Sequence, residues 1–545
     1  MPFNTFKSFI FVLSLTVYFI ACAAPEALQS VSEIGGFDAA QSYKTPLQGK
    51  ISELSISDSS SLINLKANAE EEDALIIIYS FEDQKEQKTF QLTNKNLNSQ
   101  YLALAPQHFQ QETNVTDSNV LDFTESLHGY LREQESKIDL NEDLPNLYLN
   151  KYLTGNVSLG TKREFKIINS FMGSSFETIS TSLKYQNQFV EFYVDERDEN
   201  QFTNSELDKM GDDFSRYIPV ERAIFGDESD INGDDKIVIV LSRVVNNLGK
   251  NKGGFVTGFF HAMDLFDAKK YVYSNEMEII YACVPDPQGE QGVPLSKSFT
   301  LNNILPAVLL HEYQHMINFN QHYFVNESVV ENGWLNEGLS HLAEDFMTMD
   351  SETKIASYSP ENPARVADYL ANISNICFTC GTSLAQRGGA YLFVKYLYEQ
   401  AELGMYNGVS DGIELLSRLV QTDKTGKANI LSAVYGQAVP KSQFKELMGN
   451  FALAIYFSDS KLSDDDAYKF FGINLRGALD DNRGTFLMGP AIQDISSFPY
   501  TGILNNTGIT YLQIPSTLIN ATQGEINLEL GSQTKGLGGY LITSH

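Results

Sequence analysis

Cationic side chains are scarce in this chain. Lys and Arg together number 39 against 69 Asp and Glu, a formal net charge of -30. That balance disfavours a nucleic-acid role, because phosphate binding needs a cationic surface. It fits a well-hydrated surface outside the cytoplasm, with bound cations. Cysteine is scarce too, with only 4 in 545 residues, which excludes a disulfide-dense scaffold. Beyond Cys22 there are Cys283, Cys377 and Cys380, and Cys377-Phe-Thr-Cys380 is a lone CxxC, weak evidence for a redox or zinc role. In an exported chain one disulfide within this trio is expected, with the pairing left open. Past the first twenty-odd residues no stretch approaches a transmembrane span. Histidine is equally rare, 8 in all, so any two at a chemically meaningful spacing carry weight.

The N-terminus reads as an export signal. Lys7 gives a short positive region, and Phe9 to Ile20 is almost wholly apolar, too short for a comfortable span. Phe19-Ile20-Ala21-Cys22 resembles a bacterial lipobox. On that reading residues 1–22 are a signal peptide with lipobox and Cys22 becomes the lipidated first residue. The protein is then exported and lipid-anchored to the outer membrane or cell surface. The alternative is an ordinary signal peptide and a released chain. The mature length of roughly 520 residues is too long for one core and suggests about three or four domains.

Residues 23–186 have a strand-like texture. Ala74 to Ser80, Phe90 to Leu92, Tyr101 to Leu104 and Phe165 to Ile168 are short apolar or alternating runs between Asn, Ser and Gly. They predict an N-terminal β-sandwich-like domain, with Asp117 to Asn150 as surface loops. From Phe189 the pattern predicts strands over 189–194, 236–241, 253–260 and 277–281, and a helix over 204–217 capped by Thr203 or Asn204. Asp230, Asn232 and Asp234 alternate around Gly233, half of a calcium-loop pattern. The twelfth position from Asp230 is Leu241 rather than Glu, so a standard EF-hand is ruled out. A non-EF Ca2+ loop and a plain Asx-rich turn both remain open. Further on, 388–400, 412–422, 430–435 and 442–457 read as helices. After residue 460 the strand texture returns at 511–514, 525–530 and 539–542, predicting a C-terminal β domain over 461–545.

The chemistry is concentrated at His311-Glu312-Tyr313-Gln314-His315, an HExxH motif. The helix predicted over 300–320, with Pro306 near its start, puts both imidazoles on one face, one turn apart. Neutral imidazoles suit zinc, and a third protein ligand leaves one position open. The metal polarises a carbonyl and lowers the pKa of a water. Adjacent Glu312 is placed to take the proton from that water and return one to the leaving amine. A second helix is predicted from near Trp334, and Glu337 lies 22 positions beyond His315. The preferred ligand set is His311, His315 and Glu337, with His341 as the rival third ligand. A ligand histidine needs its other ring nitrogen held, a task suited to His341, Glu344 or Asp345.

HExxH followed by Trp-Leu-Asn-Glu-Gly resembles the gluzincin clan. The fuller strings His311 to Asn318 and Asn336 to Glu344 resemble the hyicolysin family of zinc metallopeptidases more narrowly. The resemblance covers about residues 187–460, including the Asp230 loop and the 388–397 helix. It implies an α+β gluzincin-like (thermolysin-like) core over 187–460, Zn2+ as cofactor, Glu312 as catalytic base and an extracellular or surface protease. Protein or peptide is the implied substrate, bound beside a sheet edge, with a monomer expected. One feature departs from the clan. The aminopeptidase branch carries Tyr three residues before a glycine, and here Ala385 stands at that place before Gly388. Tyr391, Tyr396, His322 and Arg387 are alternative oxyanion donors, with Tyr391 preferred. The expected activity is a zinc metalloendopeptidase. A metal-dependent aminopeptidase and a non-catalytic surface lipoprotein on a peptidase scaffold are the rivals.

Overall fold

A computed structural model describes residues 47, 49–56, 60–64, 73–94, 122–140, 157–170, 175–250, 255–349, 356–436, 439–440, 442–458, 463–479, 486–521, 525–530 and 536–543. The export signal, Cys22 and the strand expected at 101–104 lie outside them. Four strands come first: β1 (Lys50–Glu53), β2 (Ser60–Asn64), β3 (Ala74–Ser80) and β4 (Gln87–Asn94). They are followed by helix α1 (Asp122–Glu135), β5 (Lys162–Ile168), β6 (Phe176–Gln186) and β7 (Val190–Asp195). Next are α2 (Asn204–Phe225), β8 (Ile237–Leu241), β9 (Gly258–Phe260) and β10 (Ile279–Ala282).

The sheet nearest the HExxH helix has six strands in the order β5-β6-β7-β8-β10-β9. Strands β7, β8 and β10 run parallel, and β9 closes the edge antiparallel to β10. Ile237-Val-Ile-Val-Leu241 is buried at every position, as a central parallel strand covered on both faces must be. Helix α2 starts with a capping box, Thr203 and Glu206 each satisfying the other's backbone amide. The boundary expected at 186/187 therefore cuts through one sheet, since β5 and β6 belong with β7. Alternation within those strands shows burial but not which neighbour provides it.

A second difference concerns the two ends of the chain. The C-terminal strands are β11 (Arg476–Ala478), β12 (Phe486–Met488), β13 (Ile492–Asp494), β14 (Tyr500–Asn505), β15 (Ile509–Ile514), β16 (Glu525–Leu530) and β17 (Leu537–Thr543). They do not stand apart from the N-terminal strands. One sheet runs β1-β17-β3-β15-β13 and another β14-β4-β16-β2. Alternate residues of β3 explain why it is central. Ile76 and Ile78 join Phe90, Leu92, Leu504 and Leu512 in one core, while Leu75, Ile77 and Tyr79 face the main core. The separate N-terminal and C-terminal β domains are thus replaced by sheets woven from both ends.

The middle of the chain is helical: α3 (Leu305–Phe319), α4 (Gly333–Asp345), α5 (Asn362–Ala371), α6 (Leu384–Glu402), α7 (Gly412–Val420), α8 (Gly426–Tyr435) and α9 (Gln443–Phe457). Among the described residues, no helix is long and apolar enough to cross a membrane. Gly388 and Gly389 in α6 let the backbone approach α5 and the segment that follows it. A Cβ on Gly388 would fall onto the Arg365 carbonyl, and one on Gly389 would strike Phe378 and the Tyr369 ring. Gly388→Ala should therefore cost about 1–3 kcal/mol or more through overpacking. A lowered urea midpoint with an unchanged slope is the expected reading, and an unchanged midpoint would contradict this packing. Cys377 and Cys380 are joined by a disulfide, and Cys283 is buried and free.

Candidate metal centre

Helix α3 is flanked by π-helical turns, Thr300–Ile304 and Asn320–Val325. Pro306 lies in its first turn, where an amide has no intrahelical acceptor to lose. The i, i+4 spacing of His311 and His315 brings their Nε2 atoms to 3.1 Å. Helix α4 packs beside α3 and contributes Glu337, whose oxygens lie 3.5 Å from His311 Nε2 and 3.6 Å from His315 Nε2. All three side chains are buried.

The nitrogens facing away from this cluster are held. His311 Nδ1 donates to Glu344 Oε1 at 3.0 Å, and His341 Nδ1 reaches the same oxygen at 2.7 Å. Asn336 Oδ1 and Ser340 Oγ each lie 2.9 Å from His315 Nδ1. These contacts fix the tautomers so that both Nε2 atoms face Glu337. Asn336 and Ser340 were not singled out in the sequence. Part of the signal was available, because Ser340 lies three residues beyond Glu337 and four beyond Asn336, within reach of both on α4.

The structure also brings in a residue from a segment expected to be loop. His128, on α1, places Nδ1 3.6 Å from Glu337 Oε1. His128, His311, His315 and Glu337 form one group with ligand atoms all within 4.8 Å of one another, and His311, His341 and Glu344 form a second such group. Donors about 2.0–2.1 Å from a common centre in a tetrahedron lie roughly 3.4 Å apart, close to the separations in the first group. His128 Nδ1 and both Glu337 oxygens are buried without a hydrogen-bond partner. Such orphaned atoms are costly unless a ligand satisfies them, and three imidazoles with a carboxylate are the donor chemistry of zinc.

The electrostatics also favour a cation. Burial pushes the His311 imidazolium pKa down, but Glu337 and Glu344 outweigh it and raise the pKa to about 9. Burial would raise the Glu337 carboxyl, yet His128 and His315 hold it well below the usual range. His315 is driven well below its ordinary value by burial, with Arg132 adding to the effect. The carboxylates of this cluster thus attract positive charge, which a bound cation would supply.

Glu312 is buried, and its Oε2 accepts the Phe260 backbone N–H at 2.8 Å, tying it to edge strand β9. Tyr391 is placed differently from expectation. Its hydroxyl donates to Asp345 Oδ2 at 2.7 Å, and Lys395 Nζ lies 3.0 Å from the same oxygen. That engagement takes Tyr391 out of the oxyanion-donor role, and it takes Asp345 into a buried network under α4. Of the other donors considered, Arg387 reaches the cluster, Nη1 lying 3.6 Å from Glu337 Oε2. Tyr396 donates to the Ala467 carbonyl, and His322 lies 3.9 Å from Glu331.

In the Asp230 loop, the side-chain oxygens are engaged locally. Asp230 Oδ1 accepts from the Asp234 and Asp235 amides at 2.9 and 3.1 Å, and Asp234 Oδ1 accepts from the Lys236 amide at 2.9 Å. Asn232 Nδ2 donates to Asp234 Oδ2 at 2.8 Å. Gly233 and Asp235 have φ of 75° and 55°, the left-handed turns this winding needs. These bonds wind the segment into an Asx-rich turn before β8.

The buried His/Glu group on paired helices is a donor set that could hold a metal ion, and a comparison with known proteins finds a likeness to a metalloprotease. The chain is 24% identical over 305 residues to the neutral metalloprotease ShpI of Staphylococcus hyicus, a stretch covering 55% of this chain and 64% of that protein. No protein-family model matches the chain.

Proposed function

We propose that this protein is an exported, zinc-dependent metalloendopeptidase, attached to the membrane through Cys22. The convergence of His311, His315 and Glu337 beside Glu312 carries the reading. Zinc held by the three residues supplies Lewis acidity toward a peptide carbonyl and lowers the pKa of a water. Glu312 takes the proton from that water and passes one to the leaving amide nitrogen. The Phe260 amide holds one Glu312 oxygen and leaves the other for this exchange. Strand β9, at the sheet edge, offers backbone groups to which an extended peptide can add. Glu344 and Asn336 orient the two ligand imidazoles, and Arg387 Nη1 lies 3.6 Å from Glu337 Oε2. The polypeptide substrate is supported by the likeness to a neutral metalloprotease, and Ala385, where the aminopeptidase branch carries Tyr, favours internal over terminal cleavage.

Metal removal tests the reading. The purified chain should carry about one zinc. Stripping it with a chelator should lower the melting temperature and abolish internal cleavage of an unfolded protein, and adding zinc should restore both. A chain with no tight metal, or cleavage indifferent to the chelator, would overturn the assignment. Release of terminal residues alone would favour the aminopeptidase.

A further inference from the structure

We propose that His128 is the fourth donor to the metal held by His311, His315 and Glu337, so that helix α1 occupies the substrate's position and this conformation is latent. The proposal rests on the metallopeptidase reading but goes beyond it.

A catalytic zinc site keeps one position open, whereas a closed four-donor protein site is structural. Here the fourth position is taken. His128 Nδ1 lies 3.6 Å from Glu337 Oε1, similar to the 3.5 and 3.6 Å from the other two imidazoles to Glu337, and it has no other partner. Its ring meets His311 edge-on, with centroids 6.0 Å apart.

The rest of α1 supports the same conclusion. His128, Arg132 and Glu135 follow at i, i+4 and i+7, which is one helix face. All three are buried, and Arg132 lies 2.9 Å from Glu135. Arg132 Nε and Nη1 have no acceptor. A charged face turned inward with unsatisfied donors is not how a helix packs for stability alone. It is understandable where the face fills a site built to bind polar backbone and a metal. Leu127 and Leu131, both buried, anchor the adjoining stripe. His311, His315, Glu337 and Glu312 are at most 4% exposed with α1 in place, so a peptide carbonyl cannot reach them without displacing His128. Release of α1 would uncover the fourth position.

The test uses the full chain with cobalt in place of zinc. His128→Cys should give a near-ultraviolet thiolate-to-cobalt charge-transfer band that is missing from the wild type and from His128→Ala. With cobalt or zinc still bound at one per chain, His128→Ala should cleave an unfolded protein at least tenfold faster than the wild type. It should also bind a peptide hydroxamate at least tenfold tighter. Absence of the band from cobalt-loaded His128→Cys overturns the proposal. So does metal-loaded His128→Ala that cleaves no faster, and a large loss of cleavage there would make His128 a catalytic residue instead. Failure of every form to bind metal would remove the metallopeptidase reading itself, which distinguishes the two failures.

Discussion

Glu312→Gln should bind metal as the native chain does and lose hydrolysis by about 10²- to 10⁴-fold, the range for a missing general base. Each tenfold loss corresponds to about 1.4 kcal/mol of transition-state stabilisation. The substitution is informative because the structure limits what else can change. Gln keeps an oxygen that can accept the Phe260 N–H now 2.8 Å from Glu312 Oε2, so β9 stays in place. The ligand imidazoles are oriented by Glu344 and Asn336, not by Glu312, so the metal site stays formed. What is lost is the capacity to take and return a proton. The comparison belongs both in the native chain and in His128→Ala, because a latent native chain would understate the difference. The measurement is kcat/KM on an unfolded protein alongside metal content. Equal rates for Glu312 and Gln at full metal loading would exclude Glu312 as the base.

The site was legible in unequal parts. Helix periodicity pairs His311 with His315, and Glu337 was reached through the short connection to the next helix and the resemblance to the gluzincin pattern. The structure brings these residues and Glu312 into one neighbourhood. His128 was not legible. It lies 183 positions before His311 in an Asn-rich, acidic stretch, where the surface-loop expectation missed the apolar positions Phe123, Leu127, Tyr130 and Leu131 at helical spacing. Its helix buries His128, Arg132 and Glu135 beside the apolar stripe of Leu127 and Leu131, and burial of that polar face is not something an amphipathic pattern announces. Tyr391 shows the opposite failure. A tyrosine near the expected place looked like an oxyanion donor, but only the fold shows its hydroxyl turned to Asp345. The fold followed the same division. Strands such as 74–80 and 237–241 announced themselves through β-branched runs. The pairing of β3 with β15 and β17, more than 400 residues away, is a long-range contact that no local pattern encodes.

The third ligand can be decided by metal affinity. Glu337 is fully buried, and its oxygens lie within 3.6 Å of His128, His311, His315 and Arg387. His341 presents Nε2 no closer than 3.9 Å to Glu337 and spends Nδ1 on Glu344. The alternative group of His311, His341 and Glu344 needs Glu344 as a ligand, yet its Oε1 already accepts two imidazole N–H groups. Glu337→Ala should therefore weaken zinc more than about 100-fold, beyond the roughly 10- to 100-fold of a residue that only supports a ligand, the class to which His341→Ala should belong. One complication follows from His128. In the native chain Glu337→Ala leaves three imidazoles, His128, His311 and His315, which can still hold zinc, though without a carboxylate to offset its charge in a buried site. In the His128→Ala background the same change leaves two donors and should abolish stoichiometric binding. Competition against a chelator of known affinity separates the cases. A larger loss from His341→Ala in either background would move the metal to the second group and overturn the assignment of Glu337.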